Sequence, residues 1–431
     1  MPASMDTFVA TLKRIGSPAE LGERMQEGVA PPARLLVNSH IHLPPNFTAF
    51  ETTRQAVDLA AGEQVAVLGA SNYYDYSVYA DFAALASRHG IFPLFGLEII
   101  TLIDNLVRDG VKINDPGNPG KMYLCGKGIS KFDPMSDRAG QLLQVIREND
   151  GTRMAAVARK VAEVFALGGL ETGLDEAAIK QRIAARHGCP QDSVYLQERH
   201  VAQAFQEVLF EKVAEGERTA LLDRIFGTKS KAGPTDAVAI QNEIRSHLIK
   251  AGKPAFVEET FVDFDHAYQL ILALGGIPCY PTLADGTAPL CPYEASVDGL
   301  IADLNSRGVH AAEFIPIRNT PEVLSRYVHA MRNAGLIVTA GTEHNTLDLL
   351  PIAPTCVGGA PIPDDIQEIF WEGACVVAAH QYLTFLGLPG FVDAEGNPNA
   401  PYVPADERIQ SFRKLGETLI ARYREMSASG S

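Results

Sequence analysis

The chain has no Cys-x-x-Cys pair; its six cysteines (Cys125, Cys189, Cys279, Cys291, Cys356 and Cys375) are scattered. This argues against a zinc ribbon or a dithiol redox motif and reads as reduced, mostly buried thiols of the cytoplasm. No run approaches the ~18 apolar residues that a membrane-crossing helix needs. The opening Met-Pro-Ala-Ser-Met-Asp lacks a basic stretch leading into an apolar core, so no secretory signal is expected. Positive charge is scarce, with 37 Lys and Arg against 52 Asp and Glu and a net charge of −15. A grip on a nucleic-acid backbone needs clustered cations, so neither nucleic acid nor membrane is an expected partner. A small anionic substrate stays open, because one or two arginines in a pocket suffice to hold it. There is no internal repeat, no low-complexity tract, and a single tryptophan without chemical signal.

What is present is 431 residues, 46% of them hydrophobic and 21% charged, which is ordinary for a folded protein. That length holds one elaborated α/β domain or two to three smaller ones, and a homo-oligomer is possible. Helical patterning at 4–27 ends at Gly28 and the Pro31-Pro32 break. A strand at 35–39, a helix at 52–61, a strand at 65–68, a polar turn at 71–75, a helix to His89 and a strand at 92–95 follow. Strands alternating with helices at this spacing predict βαβ units and a parallel sheet or barrel. From about 133 to 255 the pattern is helical throughout, in segments 137–148, 151–167, 175–187, 196–213 and 236–251. The α/β rhythm returns until about 349 and ends in helices at 364–386 and 405–426. The expected division is 1–34 (helical), 35–132 (first part of the barrel), 133–255 (a helical insertion capping it), 256–349 (second part) and 350–431 (C-terminal helices and tail).

Leu35-Leu36-Val37-Asn38-Ser39-His40-Ile41-His42 is the most informative segment. His40 and His42 stand two apart on an apolar run, so on a strand both imidazoles leave the same face. Two neutral nitrogens can bind a divalent metal if other segments bring carboxylates; alone, such a pair is as often incidental. Polar clusters also follow the other expected strands: Ser71–Asp75, Glu98, Tyr280–Asp285, Arg318-Asn319 and Glu343–Asn345. In α/β sheets and barrels functional groups gather at the carboxyl ends of strands, so these segments are expected to converge.

The order of these motifs resembles the polymerase-and-histidinol-phosphatase (PHP) superfamily over residues 35–350. His40 and His42 match its opening His-x-His, and Ala70-Ser71-Asn72 stands at its Thr-Asp-His. Gly96-Leu97-Glu98 matches its Gly-x-Glu. Gly275-Gly276-Ile277-Pro278 matches Gly-Gly-Ile-Pro but continues Cys279-Tyr280-Pro281-Thr282 where the family has Ala-His-Pro. Ala312-Glu313-Phe314 is similar to Gly-hydrophobic-Glu, and Gly341-Thr342-Glu343-His344-Asn345 to Gly-Ser-Asp-x-His. In the insertion, Glu198-Arg199-His200-Val201-Ala202 resembles the Arg-Pro-His-hydrophobic-Ala of the nucleotide-phosphoesterase branch, and Met122-Tyr123-Leu124-Cys125-Gly126 stands at its His-Leu-Leu-Gly-like strand. The resemblance implies a distorted barrel of seven strands and seven helices, here with the insertion and a C-terminal helical extension.

It also implies a metal held by His40, His42, Glu98 and Glu343, one divalent Zn, Mn or Fe. Ligands for further metals are replaced by Phe47, Asn72, Tyr123, Thr282 and Asn345. One metal suits attack at a carbonyl carbon better than phosphate-ester cleavage, which draws on several cations. His200, Tyr123 and Tyr280 are the expected proton carriers. Arg199, Arg318, Asn72, Tyr73, Asn345 and Thr282 are the expected substrate contacts. His344 is expected to turn away, and His266, His310, His329 and His380 to be structural. The expectation is a mononuclear metal-dependent hydrolase or lyase acting on a small polar, anionic metabolite. The alternatives are an ordinary PHP phosphoesterase and a non-catalytic small-molecule-binding protein.

Overall fold

The short apolar runs become seven strands of one sheet, ordered as in the sequence: β1 (Leu36–Ile41), β2 (Val65–Ala70), β3 (Phe92–Leu102), β4 (Lys121–Lys127), β5 (Ile277–Thr282), β6 (Ala311–Phe314) and β7 (Ile337–Ala340). The computed structural model describes residues 4–26, 34–399 and 404–429, so the expected break at Gly28 and Pro31-Pro32 lies outside the described residues. β2, β6 and β7 are buried along their whole length, as strands covered on both faces must be. β1, β2 and β3 run parallel, as do β5, β6 and β7. β4 is antiparallel to both its neighbours, a departure from the wholly parallel arrangement. The connection from β3 to β4 carries only the five-residue helix Asp104–Arg108, too little to cover a parallel crossover, so the chain turns back along β3.

The barrel closes where β7 ends against β1. Thr342 N and Glu343 N both donate to His40 O, and His42 N donates to Glu343 O. Gly341 permits this approach: a Cβ there would lie 2.3 Å from His40 Cβ. β3 is longer than expected, and Glu98 falls inside it, where its pairing passes from β2 to β4.

Asp137–Leu167 is one helix of 31 residues, without a break at Asp150-Gly151, and Glu215–Phe226 is a helix that the patterning did not show. With Glu176–His187, Glu198–Lys212 and Ala237–Ile244 they share a hydrophobic core of their own, from Met154 to Ala255. They touch the barrel through the loops after β1 and β2, where Phe47 N donates to Gln197 Oε1 (2.8 Å) and Arg147 Nε to Tyr74 O (2.9 Å), and Asp137–Leu167 also packs its Ala139, Leu143 and Ile146 into the barrel's core. Below the barrel, the helix Met5–Ile15 buries Met5, Phe8, Leu12 and Ile15, and Phe8 packs against Phe92, Phe95, Phe385 and Tyr423. The helix Asp364–Phe385 is buried between β7 and the last helix, Ala405–Ser429. No helix of the described residues is long and apolar enough to cross a membrane.

Candidate metal centre and its cavity

Period-two alternation carried one residue past β1 sends His40 and His42 to the same face, and Glu98 of β3 meets them there. The three are buried, at 1%, 0% and 4% exposure. Nε2 of His40 and Nε2 of His42 each lie 3.3 Å from Oε2 of Glu98. Two donors ~2.0–2.1 Å from a tetrahedrally ligated ion would stand about 3.3–3.4 Å apart, the same spacing. Both Nε2 atoms and Oε2 of Glu98 are buried without a hydrogen-bond partner. Buried polar atoms left so are rare and costly, and three converging on one point fit a divalent cation. Burial opposes ionisation of Glu98, yet the two imidazoles hold its carboxyl well below the usual range.

Behind the histidines lies a network that the sequence did not reveal. Nδ1 of His40 is 2.6 Å from Oε2 of Glu313, and Nζ of Lys127 donates to Oε1 of Glu313 and to Ser39 O (3.2 Å). Glu313 is 0% and Lys127 2% exposed. A carboxylate on the far nitrogen fixes a ligating histidine's tautomer and ring orientation. Burial opposes protonation of His40, but Glu313 prevails and raises it to about 9 when no cation shares the site. Lys127 stays charged for the same reason, since Glu313 outweighs its burial. The available signal was Tyr123, Cys125 and Lys127 at period two on an apolar strand, which puts a charge on an inward face. Cys125, with His40 and Glu313, is a second possible ligand group, but Lys127 already neutralises Glu313 there.

The remaining expected residues divide. A cavity of about 700 Å³ opens beside Glu98 and is lined by Tyr73, Tyr123, Thr282, Arg199, Arg318, Glu343 and Asn345 among others. Tyr73 stacks on His42 (5.0 Å between ring centres, 4° between planes) and donates to Oε1 of Glu98 (3.1 Å). Burial pushes the Tyr73 and Tyr123 hydroxyls above their ordinary pKa, so both keep their protons. Thr282 Oγ1 is buried without a partner. Arg199 forms no ion pair among the described residues and rests over Phe47 (5.8 Å to the ring centre). Burial, and then Arg245, lower its guanidinium to about 10.

Five expected assignments need correction. Glu343 lines the cavity, but its carboxylate is taken by both terminal nitrogens of Arg318 and by Asn345 Nδ2 (2.6 Å), outside the His40–His42–Glu98 group. Glu343 and His344 have φ of +57° and +55°, which turns the carboxylate toward Arg318 rather than along the strand. Arg318 is therefore occupied and not a free anion clamp. His200 is buried but does not line the cavity: its Nδ1 accepts from Gln197 N (3.1 Å) in a helix cap, and its ring packs on Phe47. Tyr280 faces outward and donates to Oε1 of Glu294 (2.8 Å), because Cys279 takes the inward phase of β5. Asn72 exchanges hydrogen bonds with the backbone of Leu43 (2.8 and 3.0 Å) and shapes the loop after β1.

As expected, His344 turns away, to Thr342 Oγ1 and Leu350 O. The histidines His266, His310 and His380 bond backbone carbonyls, and His329 pairs with Asp365.

A smaller compartment of about 160 Å³ adjoins the cavity across Tyr73, Tyr123, Arg199 and Asn345 and contains Asp150. Burial raises the Asp150 carboxyl to about 7, against the pull of Arg153 and Lys121. The folded chain thus keeps a proton that the unfolded chain loses near pH ~4. This contribution is full below that pH and is lost as pH rises to about 7. Asp150→Asn should gain thermal stability relative to the parent between pH 4 and pH 8; melting curves showing an equal difference at both would contradict this.

No protein-family model matches the sequence, and no curated protein matches it. Among solved structures, an amidohydrolase from Chromobacterium violaceum with bound sulfate and no metal is 18% identical, with TM-score 0.48, over 78% of this chain and 97% of that one. A protein from Bifidobacterium adolescentis assigned as a metal-dependent phosphoesterase is 15% identical, with TM-score 0.50, over 79% of this chain and 96% of that one. The likeness to the second is one of fold and leaves the chemistry to the residues themselves.

Proposed function

We propose that the protein is a metal-dependent hydrolase that acts at a carbonyl carbon of a small anionic molecule, using one divalent cation held by His40, His42 and Glu98. The observation that carries this reading is the convergence of three buried, unpartnered donor atoms beside a cavity. When bound, a divalent cation supplies Lewis acidity toward a carbonyl oxygen and toward water. Glu313 aims His40, and Tyr73 fixes Glu98 while covering the face of His42. Tyr123 Oη, which keeps its proton, serves as a hydrogen-bond donor to a substrate oxygen. Arg199 attracts the anionic group, and Thr282 Oγ1 offers a further contact. Lyase chemistry at the same carbonyl would use the same groups.

Metal-replete protein should turn over small carboxylate-bearing esters, lactones or amides. With p-nitrophenyl phosphate it should be slower by several powers of ten than a multi-metal phosphoesterase, because a second cation contributes several kcal/mol to that transition state. Assays of both substrate sets with Zn²⁺, Mn²⁺ and Fe²⁺ test this. Vigorous phosphate release would restore the phosphoesterase alternative, and no turnover of either set would favour a binding protein.

A further inference from the structure

The compartment behind Tyr73 and Tyr123 carries features that the metal chemistry does not use. Its size, about 160 Å³, is close to that of a cavity that holds a six-membered ring, ~150 Å³. Tyr74, Tyr123, Tyr195 and Phe261 give it aromatic walls, while Asp150, Lys121 and Asn345 give it polar ones. Tyr74 is 3% exposed, and its hydroxyl is buried without a partner. The Asp150 carboxyl forms no hydrogen bond among the described residues. The cations beside it are engaged elsewhere, Arg153 with Glu198 (2.9 Å) and Lys121 with Glu259 (2.9 Å). At the junction with the main cavity, Arg199 lacks a carboxylate, and Arg245, whose Nη2 lies 3.7 Å from Oε2 of Glu198, keeps a buried and unpartnered Nε. Arg245 opens a π-helical turn, Arg245–Ile249, a local distortion frequent where a side chain is re-aimed toward a site.

We propose that this compartment is a subsite for a hydroxylated ring bearing an acidic group, with ring hydroxyls on Asp150 and Tyr74 and the acid between Arg199 and Arg245. The inference rests on the reading of an anionic substrate and names the other half of that molecule. An apolar ring would fill the volume but strand the Asp150 carboxyl and the Tyr74 hydroxyl without partners. A free anion would satisfy the guanidinium groups but leave the aromatic walls uncovered. A hydroxylated ring does both, since its hydroxyls donate and accept while its C–H faces lie on the tyrosines.

Calorimetric titration of the full chain, freed of metal by chelation, tests the proposal. The probes are glucose 6-phosphate and glucuronate, with citrate, benzoate and inorganic phosphate as controls. At least one ring probe should bind below about 1 mM and about tenfold tighter than every control. Asp150→Asn and Tyr74→Phe should each weaken that probe about tenfold and leave inorganic phosphate unchanged, which also shows that the variants are folded. The tighter of the two ring probes identifies the acid as phosphate or carboxylate. The proposal falls if neither ring probe outbinds the controls, or if both variants bind the ring probes as the parent does. Ring binding by a protein that takes up no metal would remove the hydrolase reading and keep this subsite; metal uptake without ring binding would do the reverse.

Discussion

His42→Ala should abolish tight binding of Zn²⁺, Mn²⁺ or Fe²⁺, while the parent chain retains close to one equivalent through gel filtration. His40, His42 and Glu98 supply three donors from β1 and β3, and two would leave an affinity far below what a resident metal requires. The expected loss is several powers of ten in affinity, because His42 gives a direct bond rather than an orienting contact. Metal added to the parent should also raise its melting temperature by mass action, since the unfolded chain cannot bring β1 and β3 together. His42→Ala should show no such rise, whereas His344→Ala, whose ring bonds Thr342 and Leu350, should behave as the parent. Elemental analysis and metal-dependent melting decide the matter. Two or more equivalents in the parent, or undiminished uptake by His42→Ala, would overturn the three-ligand assignment.

The strands and the His-x-His pair were legible because their signals are local. Apolar runs of strand length and a two-residue spacing need no knowledge of distant segments. The direction of β4 was not legible, since it depends on what the 103–120 connection fails to build rather than on the strand's own residues. The helical pattern divides Asp137–Leu167 at Asn149-Asp150, just before Gly151. In the fold a Cβ there would meet open space, and packing on either side carries the helix through.

Side-chain roles failed wherever another residue claimed the group. Glu343 had the right identity for a ligand, yet Arg318, 25 positions away, takes its carboxylate. His200 lay in a motif that resembled a functional one, yet its ring closes the helix cap three residues back. Tyr280 is one step out of phase with the barrel interior. Asp150 and Arg245 stand in helical patterning that names no role for them, and the docking of those helices onto the barrel half-buries them beside the cavity.

Lys127→Met should destabilise the protein by about 3–5 kcal/mol, the usual cost of removing one partner from a buried ion pair. Lys127 is 2% and Glu313 0% exposed, so the carboxylate left behind would have no water to solvate it and only His40 Nδ1 (2.6 Å) as a partner. Glu313→Gln should cost about as much, because the ammonium would keep only neutral oxygens such as Ser39 O as partners. The double variant Lys127→Met/Glu313→Gln removes both charges and should recover most of the loss, since a buried pair contributes little over neutral groups of similar volume. Urea midpoints of the metal-free chain measure all three. The double variant should still bind metal about 10–100-fold more weakly than the parent, because an amide oxygen on His40 Nδ1 supports the imidazole less than a carboxylate does. Additive losses in the double variant would mean that the two residues act separately. Unchanged metal affinity alongside restored stability would make the network a structural core and not the support of the metal centre.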